Sequence, residues 1–82
     1  MKSSDILLSL EFYHLVVSRC GEDWVSVHYE DAKVKDGVCL VFDPGRGPDF
    51  ESACDDYLKK IRGKRLVFNA GTEDRHEIVV LG

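Results

Sequence analysis

Long hydrophobic runs are missing from this chain of 82 residues. Stretches such as Leu15-Val16-Val17 and Ile78-Val79-Val80-Leu81 fall far short of the roughly 20 apolar residues that a membrane-spanning helix needs. Asp5, Ser9 and Glu11 interrupt the apolar residues near the N-terminus, so a secretory signal is not expected and a cytoplasmic location is the default. Cysteines are few and odd in number: of Cys20, Cys39 and Cys54 at most two can pair, which excludes a disulfide framework. Cys39 inside Val38-Cys39-Leu40-Val41 and Cys54 on an apolar helical face read as buried, and Cys20, beside Gly21 in a turn, as exposed. The three histidines, His14, His28 and His76, stand far apart, with no HxH, HExxH or CxxC spacing, so neither a zinc site nor any other metal or cofactor is expected. Positive charge is also in short supply. Fifteen acidic residues against 11 basic ones give a net charge of −4, which disfavours general affinity for nucleic acid or anionic membranes.

What is present belongs to a folded domain. Hydrophobic residues make up 44% and charged residues 32%, and the length suits one compact domain over residues 1–82 with one modest core. The clearest element is a helix from Asp49 to Gly63. Phe50, Ala53, Cys54, Tyr57, Leu58 and Ile61 recur at the spacing that lines one helical face. Asp49 is placed to cap its start and Gly63 to end it in a left-handed conformation. Asp43-Pro44-Gly45-Arg46-Gly47-Pro48 reads as a stiff linker into this helix.

The remainder reads mainly as strands. Residues 4–12 fit a short capped helix, from Ser3-Ser4-Asp5, and a strand equally well, through the alternation of Leu8, Leu10 and Phe12. Phe12 to Arg19 favours a strand, Cys20-Gly21-Glu22-Asp23 a hairpin turn, and Trp24 onward a second strand with Val25, Val27 and Tyr29 on one side and Ser26, His28 and Glu30 on the other. Asp36-Gly37 suits a type I′ hairpin turn into Val38–Phe42, whose continuous apolar character suits a central strand covered on both faces or packed under the helix. Residues 65–69 and 76–81 suit a terminal hairpin. The expectation is an α+β fold of order (α)βββαββ, with a mainly antiparallel sheet of about five strands and one long amphipathic helix packed on one face.

Few constellations point to chemistry. Gly45-Arg46-Gly47 ahead of a helix invites a phosphate, but Pro44 and Pro48 remove N–H donors, Asp43 and Asp49 repel anions, and the third glycine or lysine of a nucleotide motif is missing. Asp43, Asp49 and Glu51 match no calcium loop, and Asp49 and Glu51 are explained by helix capping and the helix dipole. Lys59, Lys60, Arg62, Lys64 and Arg65 form the best nucleic-acid candidate, yet Asp55 to Lys59 and Asp56 to Lys60 are helix-stabilising pairs, and cations suit a helix C-terminus. The helix–strand order invites comparison with double-stranded RNA-binding domains, but the second helix begins Asp49-Phe50-Glu51 in place of a lysine cluster. Cys20 with a histidine and an aspartate would meet the inventory of a thiol enzyme, without a local signature for one.

The functional expectation is therefore a non-enzymatic module that binds, and by binding inhibits, a larger protein or complex. Arg46 on a braced loop, Trp24 beside a turn, and Tyr13, His28 or Tyr29, according to which sheet face the helix leaves open, are the candidate contacts. A second copy of the chain is an alternative partner, through the sheet face or an edge such as the last strand. In size, acidity and α+β character the chain is similar to small phage and mobile-element proteins, including anti-CRISPR inhibitors, without a shared motif. A nucleic-acid-binding regulator using Lys59 to Arg65 is the second expectation, and a small Cys20-dependent enzyme the third.

Overall fold

The computed structural model describes residues 2–10 and 13–80; Phe12 and Leu81, assigned above to strands, lie outside the described residues. The elements in order are α1 (Ser3–Leu8), β1 (Leu15–Arg19), β2 (Val25–Tyr29), β3 (Ala32–Asp36), β4 (Cys39–Val41), β5 (Gly45–Gly47), α2 (Phe50–Ile61), β6 (Arg65–Phe68) and β7 (His76–Val79). The α+β class and antiparallel pairing are as expected, but the order is αβββββαββ, α2 has only 12 residues, and seven strands form two sheets, β1-β2-β5 and β4-β3-β6-β7, in place of one sheet of five. Among the described residues no helix is long and apolar enough to cross a membrane.

The split occurs at Glu30-Asp31. Asp31 has φ +59°, a left-handed conformation that aspartate tolerates better than most residues and that breaks the extended run, and the chain passes there from β2 in one sheet to β3 in the other. The fifth short strand comes from the supposed linker. Gly45 to Gly47 pairs with Val27 to Val25, giving residues 45–47 a sheet partner that glycine and proline content does not advertise. A further correction concerns Val38–Phe42. It is no central strand: β4 covers only Cys39–Val41 and lies at a sheet edge, with Cys39 exposed where burial was expected. The turn before it also differs. Asp36 and Cys39 are paired, so the two loop residues are Gly37 and Val38, and only Gly37 has positive φ, the pattern of a type II′ turn.

Other expectations hold. Asp49 caps α2, its carboxylate accepting from the Ser52 amide at 2.8 Å, and Gly63 follows the helix with φ +74°. Ala53, Cys54, Tyr57, Leu58 and Ile61 are buried and join Val27, Tyr29, Val34, Leu66 and Phe68 in one core cluster that spans both sheets. Gly21 occupies the β1–β2 turn with φ +80°, and β6 and β7 pair as the terminal hairpin. Residues 3–8 take the helical alternative. Six residues cannot hold a helix alone, and α1 is fixed from outside: the Ser3 hydroxyl donates to Asp55, the Ser4 hydroxyl to Glu51, and the Tyr29 hydroxyl to the Leu7 carbonyl at 2.6 Å. Asp55 thus serves α1, while the i,i+4 ion pair of α2 is Asp56 with Lys60 at 3.0 Å.

Val67 is buried outside that cluster. Its partners in register are Lys33 and Glu77, on the far face of the four-stranded sheet, where Glu77 lies 3.5 Å from Lys35, 3.8 Å from Arg75 and 3.9 Å from Arg65. The aliphatic stems of such long side chains can shelter an apolar residue while their heads stay in water.

Candidate protein-binding face

Paired residues on neighbouring strands point to the same side of a sheet, so the register of β1-β2-β5 sorts its two faces. Tyr29, Val27 and Val25, with Leu15, Val17, Gly45 and Gly47 opposite them, form the inner face toward α2. Val16 with His28, and Ser18 with Ser26 and Arg46, form the outer one. The two glycines dictate this geometry. A Cβ on Gly45 would overlap Tyr57 and the Ala53 carbonyl, and one on Gly47 would stand 2.7 Å from the Ala53 nitrogen and the Ser52 Cβ. With glycine on both sides pressed to the helix, Arg46 must face away.

Its backbone is held as well as its direction. The Arg46 amide donates to Asp56 Oδ2 at 2.9 Å, and Lys60 Nζ lies 3.0 Å from Asp56, 3.4 Å from Asp43 and 3.1 Å from the Pro44 carbonyl oxygen, to which it donates. Burial works against the Asp56 charge, but the Arg46 amide and the Lys60 ammonium outweigh it and hold the carboxyl below its usual range. The same contacts raise Lys60 above its ordinary value in spite of partial burial. The outward edge of β5 is therefore closed, whereas the Arg46 side chain is exposed and makes no ion pair among the described residues.

Aromatic residues share the arginine's side of the sheet. Phe42, 56% exposed, sets its ring edge-on to His28 with centroids 4.9 Å apart, and His28 Nδ1 lies 2.9 Å from the Tyr29 carbonyl oxygen. Trp24, 53% exposed, precedes β2; its carbonyl accepts from the Cys20 amide at 2.8 Å, and the alternation of the strand places it on the side of Ser26 and His28. Arg46, His28 and Trp24 are thus brought to one face. Two other candidates are not. Tyr29 is wholly buried, with its amide donating to the Tyr57 hydroxyl at 3.1 Å, because the alternation that puts Val27 inside puts Tyr29 there too. Tyr13 is half-buried and stacks on Phe68 at 4.2 Å and on His76 at 5.6 Å, away from Arg46's strand. Phe42 was the residue missed, since an apolar run conceals that it belongs to an edge.

The basic cluster divides. Lys60 is committed to Asp43 and Asp56, and Arg65 approaches Glu77, leaving Lys59, Arg62 and Lys64 exposed around the end of α2. Cys20 is exposed in its turn, and Cys54 is buried, its thiol pushed up to about 11, first by desolvation and then by Glu51 and Asp55. Among the described residues no three His, Cys, Asp or Glu side chains are grouped to hold a metal ion. Where β2 turns into β3, a cavity of about 450 Å³ opens between Phe42, Lys33 and the loop after β6, and its lining includes His28, Asp31, Asn69 and Thr72.

Compared with models of protein families, with curated proteins and with solved structures, the chain matches none.

Proposed function

We propose that this protein is a binding module that docks on an acidic surface of a larger protein through the outer face of β1-β2-β5, with Arg46 as the central cation and Phe42 and Trp24 as apolar anchors. The observation that carries this reading is the arrangement around Arg46: the backbone is locked by Gly45, Gly47 and Asp56 while the guanidinium makes no ion pair among the described residues. A preorganised arginine beside exposed aromatic rings loses little freedom on binding, and arginine and tryptophan are prominent among residues that dominate interfaces. Unpaired positive charge on a chain of net charge −4 marks a local face whose complement is acidic. Such a module acts by occluding the surface it covers, which is the mode of a small inhibitor.

The test pairs capture with substitution. A partner recovered from the native host should lose affinity by about tenfold or more for Arg46→Glu and for Phe42→Ala, as expected of central contacts, while thermal unfolding stays unchanged. A partner that binds both variants as well as the parent protein rules out this face. Loss on neutralising Lys59, Arg62 and Lys64, with a steep salt dependence, would assign binding to nucleic acid instead.

A further inference from the structure

The cavity at the junction of the two sheets is lined by polar groups that the protein leaves to solvent. Asp31, Lys33 and the Asn69 carboxamide make no side-chain hydrogen bond or ion pair among the described residues, and Phe42 offers an exposed ring. His28 is half engaged. Its Nδ1 faces the Tyr29 carbonyl, which can only accept, so Nδ1 carries a proton and Nε2 has no partner among the described residues. Asp31 and Asn69 have φ of +59° and +54°, the two non-glycine residues with positive φ among those described, and the Asn69 amide donates to the Asp31 carbonyl at 3.3 Å. Two turns in left-handed conformations are therefore fastened to each other at the cavity wall. The Thr72 hydroxyl donates to the Asn69 carbonyl at 2.7 Å and accepts from the Asp74 amide at 3.2 Å, which fixes the second turn.

We propose that this cavity binds a nucleoside monophosphate with a guanine base. The volume of about 450 Å³ lies within the usual range of about 300–1,000 Å³ for small-molecule sites. Phe42, more than half exposed, supplies an aromatic stacking surface for the base. Base choice follows from hydrogen-bond polarity. A carboxylate accepts only, and guanine presents two adjacent donors, N1–H and the N2 amino group, whereas the corresponding edge of adenine alternates donor and acceptor. The Asn69 carboxamide can donate to the guanine O6, and Lys33 provides the charge for the phosphate. The inference goes beyond docking on a larger protein and does not depend on it, although Phe42 and His28 border both surfaces.

The experiment is calorimetric or NMR titration of the full chain with GMP, AMP, guanosine and inorganic phosphate. Saturable binding of GMP is expected, about tenfold tighter than AMP, with guanosine weaker than GMP and phosphate alone not competing. Phe42→Ala should weaken GMP and AMP together. Asp31→Asn, which keeps a residue tolerant of positive φ, should erase the preference for GMP without abolishing stacking. No saturable change with GMP overturns the proposal, as does equal binding of GMP and AMP or binding unaffected by Phe42→Ala. Because both substituted side chains are exposed, unfolding curves should coincide with that of the parent protein, separating lost binding from a lost fold.

Discussion

Gly45 on β5 lies directly against Tyr57 on α2, so closely that a Cβ on the glycine would overlap the tyrosine Cβ and its backbone nitrogen. This contact sets the spacing between sheet and helix, and it orients Arg46 outward. It also brings the Tyr57 hydroxyl to the Tyr29 amide, which lies just beyond the last pairing of β2 with β5 and would otherwise lack a partner.

Gly45→Ala should destabilise the protein by about 3 kcal/mol or more, at the upper end of overpacking costs, because the overlapping atoms include backbone. Gly37→Ala provides the contrast. Its Cβ would meet open space, and the cost is that of a left-handed alanine, about 1–2 kcal/mol. Urea or guanidinium unfolding of the two variants should rank them in that order, and equal costs would contradict the close packing of β5 on α2.

Tyr57→Phe should cost about 1–3 kcal/mol, since it leaves the Tyr29 amide buried without an acceptor. Tyr29→Phe removes the donor to the Leu7 carbonyl and should loosen α1 first. Amide exchange resolved by residue distinguishes the two: faster exchange at Tyr29 itself in the former, faster exchange within residues 5–9 in the latter. Uniform loss of protection in both would mean that neither hydroxyl has the local role assigned to it.

The pH dependence of stability follows from buried acids held in their neutral form. Desolvation raises Tyr57 to about 12, although the Tyr29 amide works in the opposite sense; Tyr29 is raised chiefly by burial and further by Tyr57 and Cys54, and Cys54 is pushed up to about 11. Each folded value exceeds the unfolded one, so the unfolded chain loses its protons first as pH rises. The corresponding stability is fully present below about pH 9, the ordinary range of the thiol, and should fall progressively through pH 12. At the acid end the sign reverses. Asp49, lowered by the Ser52 amide and hydroxyl, and Asp56, lowered on balance against its burial, favour folding above the usual carboxylate range and lose that contribution as pH falls through their folded values. Chemical denaturation across both limbs should show falling stability at each end; a flat alkaline limb would contradict the burial of the two phenols.

Thiol labelling should count the cysteines by burial. Cys20 and Cys39 should react in the native protein, and Cys54 only after unfolding. The informative residue is Cys39, because an apolar run in a central strand would have hidden it.

The helix and the hairpins were legible in the sequence for local reasons. Asp49, the spacing from Phe50 to Ile61, and Gly63 act within a few turns of one another, and Gly21 and Gly37 mark turns with their own backbone preferences. Arg46, His28 and Trp24 could be named as candidate contacts because they are polar or amphipathic residues beside turns or on an alternating strand. Their sharing of one face, the exclusion of Tyr29 and Tyr13 from it, and the inclusion of Phe42 depended on pairing.

Sequence alone determined the secondary-structure class, the amphipathic face of α2 and its caps, since these arise from periodicity and from single-residue stereochemistry. Only the tertiary structure decided that one apparent strand bends at Asp31 into two sheets, that Gly45–Gly47 is a strand packed on a helix, and that Val38–Phe42 runs to an edge. Each of those outcomes is a choice of partner between distant segments. A glycine that permits a turn and a glycine that permits contact look alike in a sequence, and the difference appears only when Tyr57 comes to rest on Gly45.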